Sequence, residues 1–140
     1  MMNTRLLLDT HILLWVLFDK EQLNKHVYDD IYDYNIPVYV SVETLREIVI
    51  LRHLRKIDSK TELKCLLKTL KELNINILEI KKAHVETLEK LSHPIINGKT
   101  HDDPFDRMLI AQAISERLTL ISSDMKFPYY HDKNFYLLQN

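Results

Sequence analysis

Leu6-Leu7-Leu8-Asp9-Thr10-His11-Ile12-Leu13-Leu14-Trp15 opens the chain with a short apolar run that ends on a carboxylate, and Leu120-Ile121-Ser122-Ser123-Asp124 repeats the device near the other end. Three leucines in succession leave no polar face, which is the pattern of a strand buried on both sides. His11 to Phe18 then reads as helical. Pro37-Val38-Tyr39-Val40, closed by Ser41, is a second strand, Ile75 to Ile80 a third, Thr119 to Ser122 a fourth and Phe135 to Leu138 a last short one. Helical spacing of apolar residues fills the gaps at 23–34, 43–56, 59–73 and 83–91, with Ser59 as a candidate N-cap. Asp103 as N-cap, Pro104 at the first helical position and Asp106 three residues after the cap mark a further helix running to about Leu118. Ser92 to His101, with Pro94, Asn97 and Gly98, reads as a loop. Strands alternating with helices predict an α/β fold with a mostly parallel sheet of four to five strands. No repeat, low-complexity tract or linker divides residues 1–140, which are expected to form one domain.

Composition narrows the chemistry. Average usage would put about ten glycines in 140 residues, and the chain has one, Gly98. Glycine-rich loops that bring backbone against a pyrophosphate or triphosphate are therefore excluded. One cysteine, Cys65, allows no internal disulfide and no thiolate metal site; a small core residue in a reducing, cytoplasmic setting is the expectation. Asp9 and His11 interrupt the N-terminal apolar run, so it reads neither as a signal peptide nor as a membrane span. Nineteen basic against 20 acidic side chains give a net charge of −1 and no broad basic surface. The balance hides a local excess, because Arg46 to Lys71 holds eight basic residues against three acids, with Lys56, Lys60, Lys64 and Lys68 at every fourth position. A solvated helix face explains that stripe as well as a phosphate-tracking surface does.

In an open parallel sheet, ligands sit beyond the carboxyl ends of the strands, where the strand order reverses. Asp9 and Asp124 each follow a strand there, and Glu47 and Asp106 lie near the starts of helices at the same edge. If the first and fourth strands are neighbours, four acids from distant parts of the chain meet in one pocket. Carboxylates so placed raise one another's pKa unless a cation neutralises them. All-oxygen donors select hard divalent ions such as Mg²⁺ or Mn²⁺, and the matching reaction is metal-assisted phosphodiester hydrolysis.

These residues carry a resemblance. Leu6 to Trp15, the block Ser41-x-x-Thr44-x-x-Glu47-Ile48, the block from His101 through Asp103-Pro104-Phe105-Asp106-Arg107 to Ala113, and Leu120 to Asp124 together resemble the PIN domain family, and within it the VapC-like toxins of toxin-antitoxin pairs. The resemblance implies a three-layer α/β/α sandwich, an acidic pocket binding Mg²⁺ or Mn²⁺, and hydrolysis of single-stranded RNA. By matching position it implies metal-binding, catalytic acids at Asp9, Glu47, Asp106 and Asp124. Thr10 and Ser122 resemble hydroxyls that orient those carboxylates, and Ser41 and Arg107 are further candidates for orienting the site or touching substrate. A cognate antitoxin that covers the groove and a second copy of the chain are the implied partners. A catalytically inactive RNA- or protein-binding module of the same fold, and a nuclease acting on DNA, are the alternatives.

Several of these residues also have purely structural explanations. Asp103 and Asp106 suit an N-cap and a first-turn carboxylate. Glu43 and Glu47 share one helix face, so either qualifies as the ligand, although the spacing from Ser41 and Thr44 favours Glu47. His11 and His101 lie close to the expected pocket and are read as orienting or capping groups. Arg107 suits a salt bridge to a neighbouring acid as well as a phosphate contact.

Overall fold

Leu7 has its neighbours Leu6 and Leu8 on the opposite side of strand β1 (Leu6–Leu8), and all three side chains are fully buried. Leu6 and Leu8 join a core with Ile12, Val27, Val40, Ile48 and Leu70, whereas Leu7 joins a separate core with Leu109, Ile110 and Leu120. A strand with a hydrophobic core on each face is the middle of a three-layer sandwich. The computed structural model describes residues 4–57 and 62–140.

The chain continues through α1 (Thr10–Phe18), a short 3-10 turn (Lys20–Gln22), α2 (Lys25–Ile31), β2 (Val38–Ser41), α3 (Val42–His53), α4 (Leu63–Glu72), β3 (Ile75–Leu78) and α5 (Lys82–Lys90). Then come β4 (Ile95–Ile96), β5 (Lys99–Thr100), α6 (Pro104–Glu116), β6 (Thr119–Ser122), a second 3-10 turn (Phe127–Tyr129) and β7 (Tyr136–Gln139). The main sheet has the order β3-β2-β1-β6-β7, and every pairing in it is parallel. The order reverses at β1, flanked on one side by the first half of the chain and on the other by the second. Leu8 is level with Val40 and with Ile121, so Asp9 emerges between Ser41 and Ser122 at the carboxyl edge. The Asp9 amide donates to Ile121 O at 3.1 Å, which extends the β1–β6 ladder by one residue.

Four expectations need correction. The helix expected over 23–34 shrinks to Lys25–Ile31, because Asp33 turns the chain, accepting the Asn35 amide at 2.9 Å on its side chain and the Ile36 amide at 3.0 Å on its carbonyl. The helix expected to reach Lys56 stops at His53, and Arg55 turns the chain in the left-handed region at φ 54°. Cys65 is exposed, not core: α4 buries Leu66 and Leu70 and leaves Cys65 outward. Residues 95–100, expected as loop, form an antiparallel hairpin in which Ile96 pairs with Lys99 around Asn97 (φ 53°) and Gly98 (φ 77°). Two consecutive left-handed residues make the tight turn whose twist matches a hairpin, and Asn-Gly is the dipeptide best suited to it. The expected Ser59 N-cap lies outside the described residues; α4 as described has Glu62 at its cap.

Candidate active site

Four elements bring one acid each to the carboxyl edge. Asp9 caps α1, with Oδ1 accepting the Ile12 amide at 2.9 Å and Oδ2 accepting the Ser122 hydroxyl. Ser122 in turn accepts the Asp124 amide at 3.0 Å, so one buried hydroxyl fixes both the β1 acid and the backbone of the acid after β6. Glu47 projects from α3 and accepts the Thr10 hydroxyl on Oε1. Asp106 lies in the first turn of α6, behind the cap in which Asp103 accepts the Phe105 and Asp106 amides, each at 3.0 Å. Asp9, Glu47, Asp106 and Asp124 line one pocket of about 320 Å³, together with Asp103 and Lys126.

Electrostatics register the crowding. Burial pushes the Asp106 carboxyl up to about 8, and the negative charges of Asp103, Asp124, Glu47 and Asp9 add to that in descending order. Burial is also the largest influence raising Asp9, opposed by the bonds from Ser122 and the Ile12 amide, and it is the largest influence raising Glu47, opposed by Thr10. A pocket that pushes the carboxyls of Asp9, Glu47 and Asp106 toward their protonated forms is one a cation would relieve. Among the described residues, no group of three His, Cys, Asp or Glu side chains closes into a finished ion cage. The all-oxygen donor set nevertheless fits a hard ion that keeps part of its water shell and is gripped directly by one or two carboxylates.

The expected supporting residues divide. Thr10 and Ser122 bond the acids themselves, as described. Ser41 accepts the Glu43 amide at 3.0 Å and so caps α3, orienting the helix that carries Glu47 without bonding Glu47. Glu43 is not part of the pocket lining; it pairs with Arg46 at 3.2 Å. Arg107 neither pairs with a neighbouring acid nor lines the pocket. It is buried, donating to Ser92 O at 2.8 Å, to the Tyr130 hydroxyl at 2.9 Å and to Leu91 O at 3.4 Å, because α6 turns it toward the chain that follows α5. The basic run fares likewise: none of its described Lys or Arg side chains lines the pocket, and among the described residues Lys126 is the one Lys or Arg in the pocket wall.

Sequence reasoning missed a connected chain behind Asp106. His101 Nε2 lies 3.2 Å from Asp106 Oδ2, and His101 Nδ1 lies 2.7 Å from the hydroxyl of Tyr130, which accepts from Arg107. With Tyr130 donating to Nδ1, the Nε2–H is left to donate to Asp106. Burial and the nearby Lys126 ammonium lower the His101 pKa, which keeps the imidazole neutral. Arg107 and His101 carried a signal in the block around Asp106, whereas Tyr130 sits in a stretch with no periodicity to single it out.

A PIN domain profile matches residues 6–133. The chain belongs to the PIN domain family. Its fold is shared by solved structures of low sequence identity. A chain of the crystal structure of VapBC2 from Rickettsia felis bound to a DNA fragment from their promoter is 18% identical, with a TM-score of 0.71 and coverage of 97% of this PIN domain chain and 98% of that one. A chain of DNA-bound VapBC from Salmonella typhimurium is 14% identical at a TM-score of 0.65, covering 97% and 98% respectively. A member of the VapBC family of toxin-antitoxin systems, VapBC-5 from Mycobacterium tuberculosis, is 20% identical at a TM-score of 0.63, covering 98% and 99%. No curated protein sequence matches this PIN domain.

Proposed function

We propose that this PIN domain is a Mg²⁺- or Mn²⁺-dependent endoribonuclease that hydrolyses single-stranded RNA, acting as the toxin of a toxin-antitoxin pair in the cytoplasm. The observation that carries the reading is the convergence of Asp9, Glu47, Asp106 and Asp124 from four separate elements on one pocket, where burial first and neighbouring negative charges second push the Asp106 carboxyl up to about 8.

Asp9, Glu47, Asp106 and Asp124 are the residues that would hold the ion. When bound, Mg²⁺ or Mn²⁺ supplies charge neutralisation at the phosphate and a lowered pKa for water. The chain's own groups prepare the site. Ser122 holds Asp9 and the Asp124 backbone at fixed separation, and Thr10 aims Glu47. His101, held by Tyr130, gives Asp106 a hydrogen-bond donor that persists whether or not the carboxyl carries a proton. Ser122 is fully buried beneath Asp9 and is not presented to substrate, which speaks against a serine nucleophile.

The antitoxin reading is supported by the VapBC neighbours and by an open groove of about 560 Å³ between α3, α4 and the end of β3. In it Val49, Leu63, Leu67 and Ile77 are 37–40% exposed, which suits the apolar face of a partner segment. A homodimer is part of the same proposal. No helix among the described residues is long and apolar enough to cross a membrane.

The test is cleavage of a labelled single-stranded RNA in Mn²⁺ by the wild-type chain and by Asp9→Asn. Cleavage by the first, abolished by EDTA and lost in the second, is expected; equal activity in both overturns the mechanism. Cleavage confined to DNA would move the substrate assignment, and the absence of both cleavage and carboxylate-dependent Mn²⁺ binding would favour the inactive binding module.

A further inference from the structure

A second cavity, of about 400 Å³, adjoins the acidic pocket and has the opposite character. Ile96, Asn97, Lys99 and Thr100 of the β4–β5 hairpin face His101 and Lys126 across it, with no carboxylate in its lining. Lys126 and His101 connect the two cavities: Lys126 lines both, and His101 reaches Asp106 from its place in the second wall. Among the described residues, neither Lys99 nor Lys126 is engaged in an ion pair. Both walls are anchored. The His101 amide donates to Pro94 O at 2.9 Å, closing the hairpin base, and the Lys126 amide donates to Asp124 Oδ1 at 2.8 Å, tying that lysine's backbone to a site carboxylate.

The acidic pocket repels a polyanion except at Lys126 and where a cation would sit on its carboxylates, so a strand needs further attraction beside it. Two unpaired ammonium groups beside a hydroxyl, an amide and an aliphatic surface offer it at the next step along the backbone, in a volume typical of small-ligand sites. We propose that the hairpin cavity is the subsite for the nucleotide adjoining the cleaved linkage: Lys99 and Lys126 hold its phosphate, Ile96 backs its sugar and base, and Asn97 and Thr100 provide the polar contacts. This rests on the ribonuclease reading and adds to it a place where the strand is gripped outside the metal-binding acids.

The experiment compares the full-length wild-type chain with Lys99→Ala/Lys126→Ala on a labelled single-stranded oligoribonucleotide in Mn²⁺, over a range of salt. Both lysines are exposed, so unchanged melting temperature serves as the folding control. The expected result is a KM raised roughly tenfold to hundredfold in the double variant, and in Lys99→Ala alone, whose side chain lies outside the acidic pocket, a raised KM with kcat nearly kept. The salt dependence of log kcat/KM should become shallower by about 0.7 for each lysine removed. A neutral methylphosphonate placed at one neighbouring linkage should raise KM for the wild type and leave the double variant unmoved, and Lys→Arg at both positions should restore the wild-type response. Equal KM and equal salt slope, or a methylphosphonate penalty of the same size in both chains, overturns the subsite. If the wild type cleaves nothing, the nuclease reading has failed instead; the subsite is then decided by anisotropy binding of the same oligonucleotide, where equal affinity of the two chains refutes it.

Discussion

Asp106→Asn should make the ion-free protein more stable at neutral pH, the reverse of the usual outcome at a half-buried, hydrogen-bonded position. Asp106 titrates at about 8 in the fold against 3.8 for the free group, so between those values the folded state binds more protons than the unfolded one. Stability therefore falls as pH rises through that window, and below about 4 the penalty is absent. At pH 7 the difference amounts to about 4 kcal/mol, from 1.36 kcal/mol for each unit of pKa elevation. Opposing it, a first-turn carboxylate gains only about 0.3–1 kcal/mol from the helix dipole. The Asn amide can keep the bond to His101, whose Nε2 lies 3.2 Å from the carboxyl oxygen. Asp9 and Glu47 share the repulsion, so the gain expected at pH 7 is about 2–4 kcal/mol, a rise of roughly 6–15 °C in Tm for a chain of this size. The assay is urea and thermal denaturation of both chains in EDTA at pH 4 and pH 7. The difference should vanish at pH 4, and Mn²⁺ should stabilise the wild type more than the variant. An Asn variant equally or less stable than wild type at pH 7 would refute the electrostatic account of the pocket.

Arg107→Met should cost about 2–4 kcal/mol in urea denaturation, because Leu91 O, Ser92 O and the Tyr130 hydroxyl lose a shared donor. Arg107→Lys should not restore it, since one ammonium cannot reproduce the planar fork; a wild-type midpoint in the Lys variant would count against that role. Ser122→Ala removes the hydroxyl joining Asp9 to the Asp124 amide, and should lower RNA cleavage by roughly 10–100-fold while the chain stays folded. An undiminished rate would show the hydroxyl to be dispensable. Gly98→Ala meets open space but keeps a φ of 77°, so its cost should be near 1 kcal/mol of backbone strain, read as a small shift in denaturation midpoint; a loss several times larger would point to a packing role for the turn.

The sheet was legible because its middle strands are apolar on both faces, a pattern that Leu6-Leu7-Leu8 and Leu120-Ile121 state outright. Asp9, Asp106 and Asp124 were legible because each follows a strand or opens a helix at one edge, whereas Glu47, a turn into α3, was separated from Glu43 only by its spacing from Ser41 and Thr44. The hairpin was missed although Asn97-Gly98 flanked by Ile95-Ile96 is a strong turn signal; strands of two residues are too short to show periodicity. Arg107, expected at a neighbouring acid or a phosphate, reaches Tyr130 instead for a different reason. Its neighbour in sequence is a site acid, but one step along a helix swings a side chain about 100° round the axis, so adjacency to Asp106 meant facing away from it. Tyr130 could be found only from the fold, since its partners His101 and Arg107 are 29 and 23 residues away.

Strand order has a temporal consequence. Asp9 and Glu47 lie on one side of the reversal at β1, and Asp106 and Asp124 arrive with the second half of the chain. During synthesis, β1 and β2 can pair early, but the gap that β6 fills beside β1 stays open until Thr119–Ser122 has emerged from the ribosome. A nascent chain thus carries only half of its acids in place for most of its translation. A chain severed in the β4–β5 turn should recover its pocket only when the two fragments reassociate.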